Sequence, residues 1–438
     1  MNDINQALLD FIRESPSMFH TCAAIARRLE GAGFVRLNEN ARWDIVPGGR
    51  YYVTRNGSSI IAFTPSDGGK WHFRISAAHG DSPTFKLKDV PDLSGPGDYL
   101  RMNVEPYGGM IFSTWLDRPL SIAGRVLVRE GERIVSRLLH VDRDILLIPN
   151  LSIHFNREIN SGFSYNPAVD LCPLVSAGEL KKGGLHAFLA RELGVEAEQI
   201  ASQDLYLVNR QRGCVWGAAE EFISAPKLDN LMCVYAGLRG FLEGCGRNPG
   251  GAAVYCCFDN EEVGSGTKQG AESSFLMDVL RRMNAALGHG EEDYLRAVAG
   301  SFFLSSDNAH AVHPNHPEKS DAENACRLNG GVVIKENAAQ RYMTDAFSRA
   351  VTIALCEKAG VPWQTFANRS DVRGGSTLGN HITGHVSVHG ADIGLAQLAM
   401  HSAFETAGAR DSAWMAKLFE TFFATPLEIE GADSVRLG

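Results

Sequence analysis

From Lys227 onward the sequence alternates between helical and extended patterns, and that rhythm limits the possible folds more than any other feature. A helical period runs through NLMCVYAGLRGFLEG, AAVYCCF reads as a buried strand, and another helix follows SGTKQGA. SFFLSSD and LNGGVVIKE read as strands, and DAFSRAVTIALCEKAG and LAQLAMHSAFETAG as helices. Strands interleaved with helices predict an α/β fold with a mostly parallel central sheet and flanking helices. The N-terminal part fits the same plan. It offers an amphipathic helix in MNDINQALLDFIRESP, a second helix capped by Ser17, and a hairpin turning at Asn56-Gly57. A strand in WHFRISAAHGDSP then stops at His79.

Near Val90 the rhythm breaks. After the turn-rich PDLSGPGDYL come short strand-like runs, MNVEPY, GMIFSTW, SIAGRVLVRE and ERIVSRLL, with no helices between them. Residues 92–223 are therefore read as a β-rich domain inserted into a discontinuous α/β domain of residues 1–91 and 224–438. A chain of 438 residues has room for both. The net charge of -9 and the lack of a dense Lys/Arg block argue against a nucleic-acid partner. No apolar run approaches the roughly 20 residues that span a bilayer, and the first residues lack the basic and apolar regions of a signal peptide. The nine cysteines are odd in number and none stands at CxxC spacing, which fits reduced thiols in a cytoplasmic protein.

In sheets of this kind ligands sit outside the carboxyl ends of the strands. The polar residues at those ends, or at the start of a helix, are His79 and Asp81 in AAHGDSP, Asp229 in APKLDN just before a helix, Glu261 and Glu262 in FDNEEVGSG, and Asp307 in SSDNAHAVHP. His401 lies in AMHS, on the predicted final helix. Three carboxylate ligands and two histidines exceed the needs of one tetrahedral catalytic ion. They suit two ions about 3.5–4 Å apart, bridged by a carboxylate and a water. The charges agree: two divalent ions offset Asp229, Glu262, Asp307 and one hydroxide, leaving the buried site neutral. Neighbouring residues at a strand end point in opposed directions. Glu262 can then ligate while Glu261 faces the substrate as general base. Asp81 can accept the second imidazole N–H of His79 and fix its tautomer. Zinc, cobalt and manganese all suit such donors.

With these motifs in order, the chain resembles the aspartyl aminopeptidase family of dinuclear zinc aminopeptidases. The likeness runs through AAHGDSPTFKLK, VEPYGGMIFSTWLDRPLSIAGRV, LLIPNLSIHFNRE, APKLDN, FDNEEVGSGTKQGA, SSDNAHAVHPN, VIKENAAQRYMTDA, GGSTLG and DIGLAQLAMHS. The resemblance implies two Zn2+ per subunit, one held by His79, Asp229 and Asp307 and the other by Asp229, Glu262 and His401. It implies Glu261 as the catalytic base and His313 near the scissile carbonyl. Lys335 and Tyr342 would line the substrate pocket, and His154 would reach an active site across a subunit boundary. The insert would be a dimerisation domain, and the assembly a tetrahedral dodecamer. Two departures from the family pattern stand out. Gly80 replaces a Thr or similar residue and should loosen its turn. Asn380-His381 follows GGSTLG where relatives carry Gly-Pro or similar.

The expected reaction is hydrolysis of the N-terminal residue of a peptide by a metal-bridged water, with Lys335 favouring Asp or Glu at that position. A preference for neutral residues is the alternative, as is an amidase or N-deacylase on the same scaffold. A shell protein without chemistry is disfavoured by the intact set His79, Asp229, Glu261, Glu262, Asp307 and His401. The further histidines His381, His385 and His389 read as packing or surface residues.

Overall fold

A computed structural model describes residues 2–247, 250–431 and 434–438. Its centre is a nine-stranded mixed sheet. In spatial order the strands are Val35–Leu37, Tyr51–Arg55, Ser59–Pro65, Ala252–Phe258, Phe73–His79, Phe302–Ser306, His389–Gly394, Val332–Lys335 and Trp363–Phe366. The four strands from Ala252–Phe258 to His389–Gly394 run parallel. The hairpin at Asn56-Gly57 forms as read, with Tyr51–Arg55 antiparallel to Ser59–Pro65.

The strand AAVYCCF has no polar face because both of its faces are covered. Ala253, Tyr255 and Cys257 pack into one core with the helices Asn2–Glu14, Met18–Gly31, Leu228–Gly244, Ala346–Ala359 and Asp411–Ala424. Ala252, Val254, Cys256 and Phe258 pack into a second core with Phe275–Ala286, Glu291–Ala299 and Leu378–Thr383. The period of two divides one strand between two layers. The helix after Ser17 starts at Met18, but the Ser17 hydroxyl does not cap it; it pairs with His20 Nδ1 at 2.8 Å.

The β-rich stretch builds a separate six-stranded antiparallel sheet. Its strands run from Thr84–Ser94 to Ile200–Asn209, and Phe85, Leu120, Ile122, Val126, Leu205 and Leu207 form its core. The first of these strands begins before residue 92.

One prediction fails here. LAQLAMHSAFETAG is not a helix but two strands, Ala396–Leu398 and Glu405–Gly408, paired antiparallel around a turn. They join Cys214–Trp216, Phe222–Ala225 and Ala309–His310 in a five-stranded sheet. A short alanine-rich apolar run fits a buried strand as well as a helix, and here the pairing with distant chain decides.

Candidate metal centre

The parallel strands end level with one another, which gathers their following residues at one edge. His79 closes its strand opposite Phe258, the last residue of AAVYCCF. The chain then turns at Asn260, in the left-handed region at φ 64°, into the single 3-10 turn Glu261–Val263. Glu261 and Glu262 therefore diverge through this turn, not through the strand pleat that the sequence suggested. Asp307 follows the strand Phe302–Ser306 and donates its N–H to Ile393 O at 2.9 Å. Asp229 sits at the mouth of Leu228–Gly244 with non-helical angles, φ -82° and ψ 105°. His401 lies in the turn between the two strands that replace the expected helix, with φ 67°. Non-glycine residues held in that region are uncommon and concentrate at functional sites.

The donor atoms converge. His79 Nε2 lies 3.5 Å from Asp229 Oδ1, 3.6 Å from Asp307 Oδ1 and 3.9 Å from Glu261 Oε2. His401 Nε2 lies 3.3 Å from Asp229 Oδ2 and 3.3 Å from Glu262 Oε2. These separations are long for hydrogen bonds. They match the edge of a tetrahedron whose centre-to-corner bonds are about 2.0–2.1 Å, which is about 3.4 Å. The two oxygens of Asp229 face different histidines, as a bridging carboxylate would. Asp229 Oδ1 and Glu262 Oε1 are buried with no hydrogen-bond partner. A buried carboxylate oxygen left bare is costly unless a cation meets it. The donor set thus fits zinc. Among the described residues, His79, Asp229 and Glu262 form the one group whose ligand atoms all lie within 4.8 Å of one another.

The electrostatics of the protein alone describe a site short of positive charge. Burial opposes a charged His79, yet Glu261, Asp229, Asp307 and Asp81 outweigh it and hold the ring well above its usual pKa. Burial likewise opposes ionisation of Asp229, but His401 and His79 draw it below the carboxylate range. Burial first, then Asp229, pushes Glu262 well up. Burial raises Glu261 to about 8, with Asp307, Asp81 and Asp229 adding to the rise and His79 opposing it. Crowded carboxylates raise one another in this way, and bound cations would lower them all.

Asp81 does more than hold an imidazole. His79 Nδ1 lies 3.4 Å from its Oδ1 and 3.2 Å from its carbonyl oxygen. The same carboxylate accepts the N–H of Glu261 and of Glu262, each at 3.2 Å. Tyr107, from the six-stranded sheet, donates its hydroxyl to Asp81 at 2.7 Å and accepts from Asn260 Nδ2 at 2.8 Å. At Gly80 a Cβ would stand 2.9 Å from Cys257 Sγ, and Thr21 Oγ1 donates to the Gly80 carbonyl at 3.2 Å.

Lys335 and Tyr342 lie beside the centre, but the ammonium is not free. Lys335 is 2% exposed and donates to Asp307 O at 2.8 Å and Asn308 O at 3.3 Å. Its Nζ is 3.7 Å from Asp307 Oδ2 and 5.1 Å from the Tyr342 ring centre. His313 is not brought in: it is exposed and packs against His316, 5.2 Å between rings. His310 of the same motif is also exposed, with its ring 6.4 Å from that of Phe366. His154 stands on an exposed loop beside Phe155, itself 80% exposed. The three further histidines do not converge: His381 faces Glu272 at 3.9 Å, His385 borders the cavity of Arg55 and Lys268, and His389 packs on Phe347.

A cluster of histidines and carboxylates at the carboxyl edge of the parallel strands marks a metal-dependent enzyme. The family model "Aminopeptidase I zinc metalloprotease (M18)" matches residues 11–423. A probable M18 family aminopeptidase 2 of Clostridium acetobutylicum is 45% identical over 95% of this chain and 97% of its own. A protein of the same name from Pseudomonas aeruginosa is 41% identical over 97% of this chain and 98% of its own. Among solved structures, the one of Ape4 in complex with Nbr1 superposes with TM-score 0.92 at 36% identity, covering 97% of this chain and 86% of that one. The mApe1 dodecamer of S. cerevisiae superposes with TM-score 0.84 at 28% identity, over 96% of both chains. The chain belongs to the M18 family of zinc aminopeptidases, and it is a zinc-dependent metalloaminopeptidase. Among the described residues no helix is long and apolar enough to cross a membrane.

Proposed function

We propose that the chain removes the N-terminal residue of peptides at a paired zinc centre. His79, Asp229 and Asp307 would hold one ion, and Asp229, Glu262 and His401 the other. The observation that carries this reading is the shared carboxylate: Asp229 Oδ1 faces His79 at 3.5 Å and Oδ2 faces His401 at 3.3 Å. Bound zinc supplies polarisation of the scissile carbonyl and acidification of water. Glu261 accepts a proton from the attacking water at its carboxylate and returns it to the leaving amine nitrogen. Asp81 keeps Glu261 and Glu262 in place through their backbone N–H groups, and Lys335 holds the backbone of Asp307.

Peptides with an acidic first residue are the proposed substrates, attracted by the Lys335 charge. One observation favours the neutral alternative, namely that this ammonium already donates to two carbonyls. The division into a catalytic unit, 1–91 and 224–438, and a β-rich dimerisation unit, 92–223, belongs to the same proposal. So do a tetrahedral dodecamer, supported by the likeness to the mApe1 dodecamer, and a cytoplasmic location, supported by nine cysteines that are all free.

The test is initial rates on p-nitroanilides of Asp, Glu, Leu and Ala, free and N-acetylated, with and without chelator. Chelator-sensitive cleavage of free substrates, greatest on Asp or Glu, is expected. Faster Leu or Ala turnover would replace the acidic preference with the neutral one. Release of acetate from the acetylated substrates, with no p-nitroaniline from the free ones, would overturn the aminopeptidase mechanism in favour of a deacylase.

A further inference from the structure

Glu405 is a carboxylate that the proposed chemistry does not use, and it lies directly behind the donors. It opens the strand Glu405–Gly408 opposite Ala225 and is 1% exposed. Its Oε2 accepts the N–H of Asp229 at 2.9 Å, and its Oε1 accepts the N–H of His401 at 2.7 Å. One side chain thus grips the backbones of two donors that come from segments far apart in sequence. Neither backbone sits in a regular element at that point: His401 is left-handed at φ 67°, and Asp229 has φ -82° and ψ 105° inside a helical segment. The left-handed conformation of His401 is of the kind that persists where neighbouring groups over-determine it.

The grip extends further. Gln397 Nε2 donates to Glu405 Oε1 at 3.3 Å, and Gln397 Oε1 accepts from Asn308 Nδ2 at 2.6 Å. Asn308 Nδ2 also donates to Leu228 O at 3.0 Å, just before Asp229. The network therefore joins the segments of Asp229, His401 and Asp307 beneath the centre.

We propose that Glu405 is a positioning residue: it fixes the separation of Asp229 and His401, and so sets how tightly the ion between them is held. This rests on the paired-zinc reading. A carboxylate suits the task because both of its oxygens accept, and both backbone groups donate. A glutamine would have to turn its NH2 group against one of the two N–H donors. Partners that orient metal ligands typically account for about 10–100-fold in metal affinity. A merely structural role would lower the melting temperature without distinguishing one ion from the other.

The experiment is equilibrium dialysis of the full chain against buffered zinc, with bound zinc per chain counted for wild type and Glu405→Gln, and far-UV circular dichroism as the check on folding. Wild type is expected to hold two ions. Glu405→Gln is expected to bind the ion shared by Asp229 and His401 about 10–100-fold more weakly, and the other ion, which shares only Asp229, by a smaller factor. Two ions at wild-type midpoints in a folded Glu405→Gln would overturn the proposal and leave the paired centre standing. A wild-type chain that saturates at one ion would sink the paired centre and the proposal together. Should the Gln variant not fold, Glu405→Asp, which keeps both acceptor oxygens on a shorter stem, is read by the same criteria.

Discussion

The site depends on individual atoms, and its residues separate into those that do chemistry and those that hold them. Glu261 is 3.9 Å from His79, beside the donors and within reach of a water held among them. Glu261→Gln should lower kcat by about 10²–10⁴-fold while zinc per chain stays at the wild-type value. Loss of zinc in that variant would make Glu261 a ligand instead. Tyr107 touches no donor, yet its hydroxyl meets Asp81 at 2.7 Å. Tyr107→Phe should cost about tenfold or more in kcat or zinc affinity, read by steady-state rates and chelator competition. His79, Glu262 and Asp307 stood out as polar residues where apolar runs stop, and Asp229 as one where a helix starts. Glu405 did not: in FETAG it looks like any exposed acid, and only the fold turns it inward.

At the level of elements, the sequence rhythm located every strand that carries a donor except the last. His401 was expected on a helix because Leu395, Leu398 and His401 share a helical spacing; the pairing Gln397 to Ala407 and Leu398 to Thr406 overrode it. The antiparallel run of Val332–Lys335 against His389–Gly394 was equally invisible, since direction leaves no mark on composition. One element carries a pH signature. His72, leading into Phe73–His79, has its pKa lowered to about 4, chiefly by burial and then by Arg74. Its Nδ1 donates to Lys70 O at 2.8 Å, which opposes part of that fall, while its Nε2 is buried with no partner to receive an added proton. The unfolded chain takes up a proton near pH 6.5 and the folded chain does not until about pH 4. Stability is therefore complete above pH 6.5 and falls on acidification, by up to about 1.4 kcal/mol per pH unit from this group. Urea unfolding at pH 7 and pH 5 should give a smaller difference for His72→Asn than for wild type. An unchanged difference would remove His72 from the account.

For the whole molecule, three sheets divide the labour. The nine-stranded sheet presents His79, Glu261, Glu262 and Asp307, the five-stranded sheet presents His401, and the six-stranded sheet sends Tyr107 back to them while displaying the exposed loop of His154 and Phe155. The α/β plan and the β-rich break in it were readable from the sequence. The five-stranded sheet was not, because it is assembled from pieces spread between Cys214 and Gly408. If His154 serves a neighbouring subunit, inactive Glu261→Gln chains and impaired His154→Ala chains should regain activity when refolded together. Activity no higher than the sum of the two alone would confine His154 to its own chain. The central claim is a pair of zinc ions sharing Asp229, and its most direct measurement is anomalous diffraction from zinc-loaded crystals on either side of the zinc absorption edge. The account predicts two peaks about 3.5–4 Å apart that flank the Asp229 carboxylate. A single peak, or two that do not share Asp229, would contradict it.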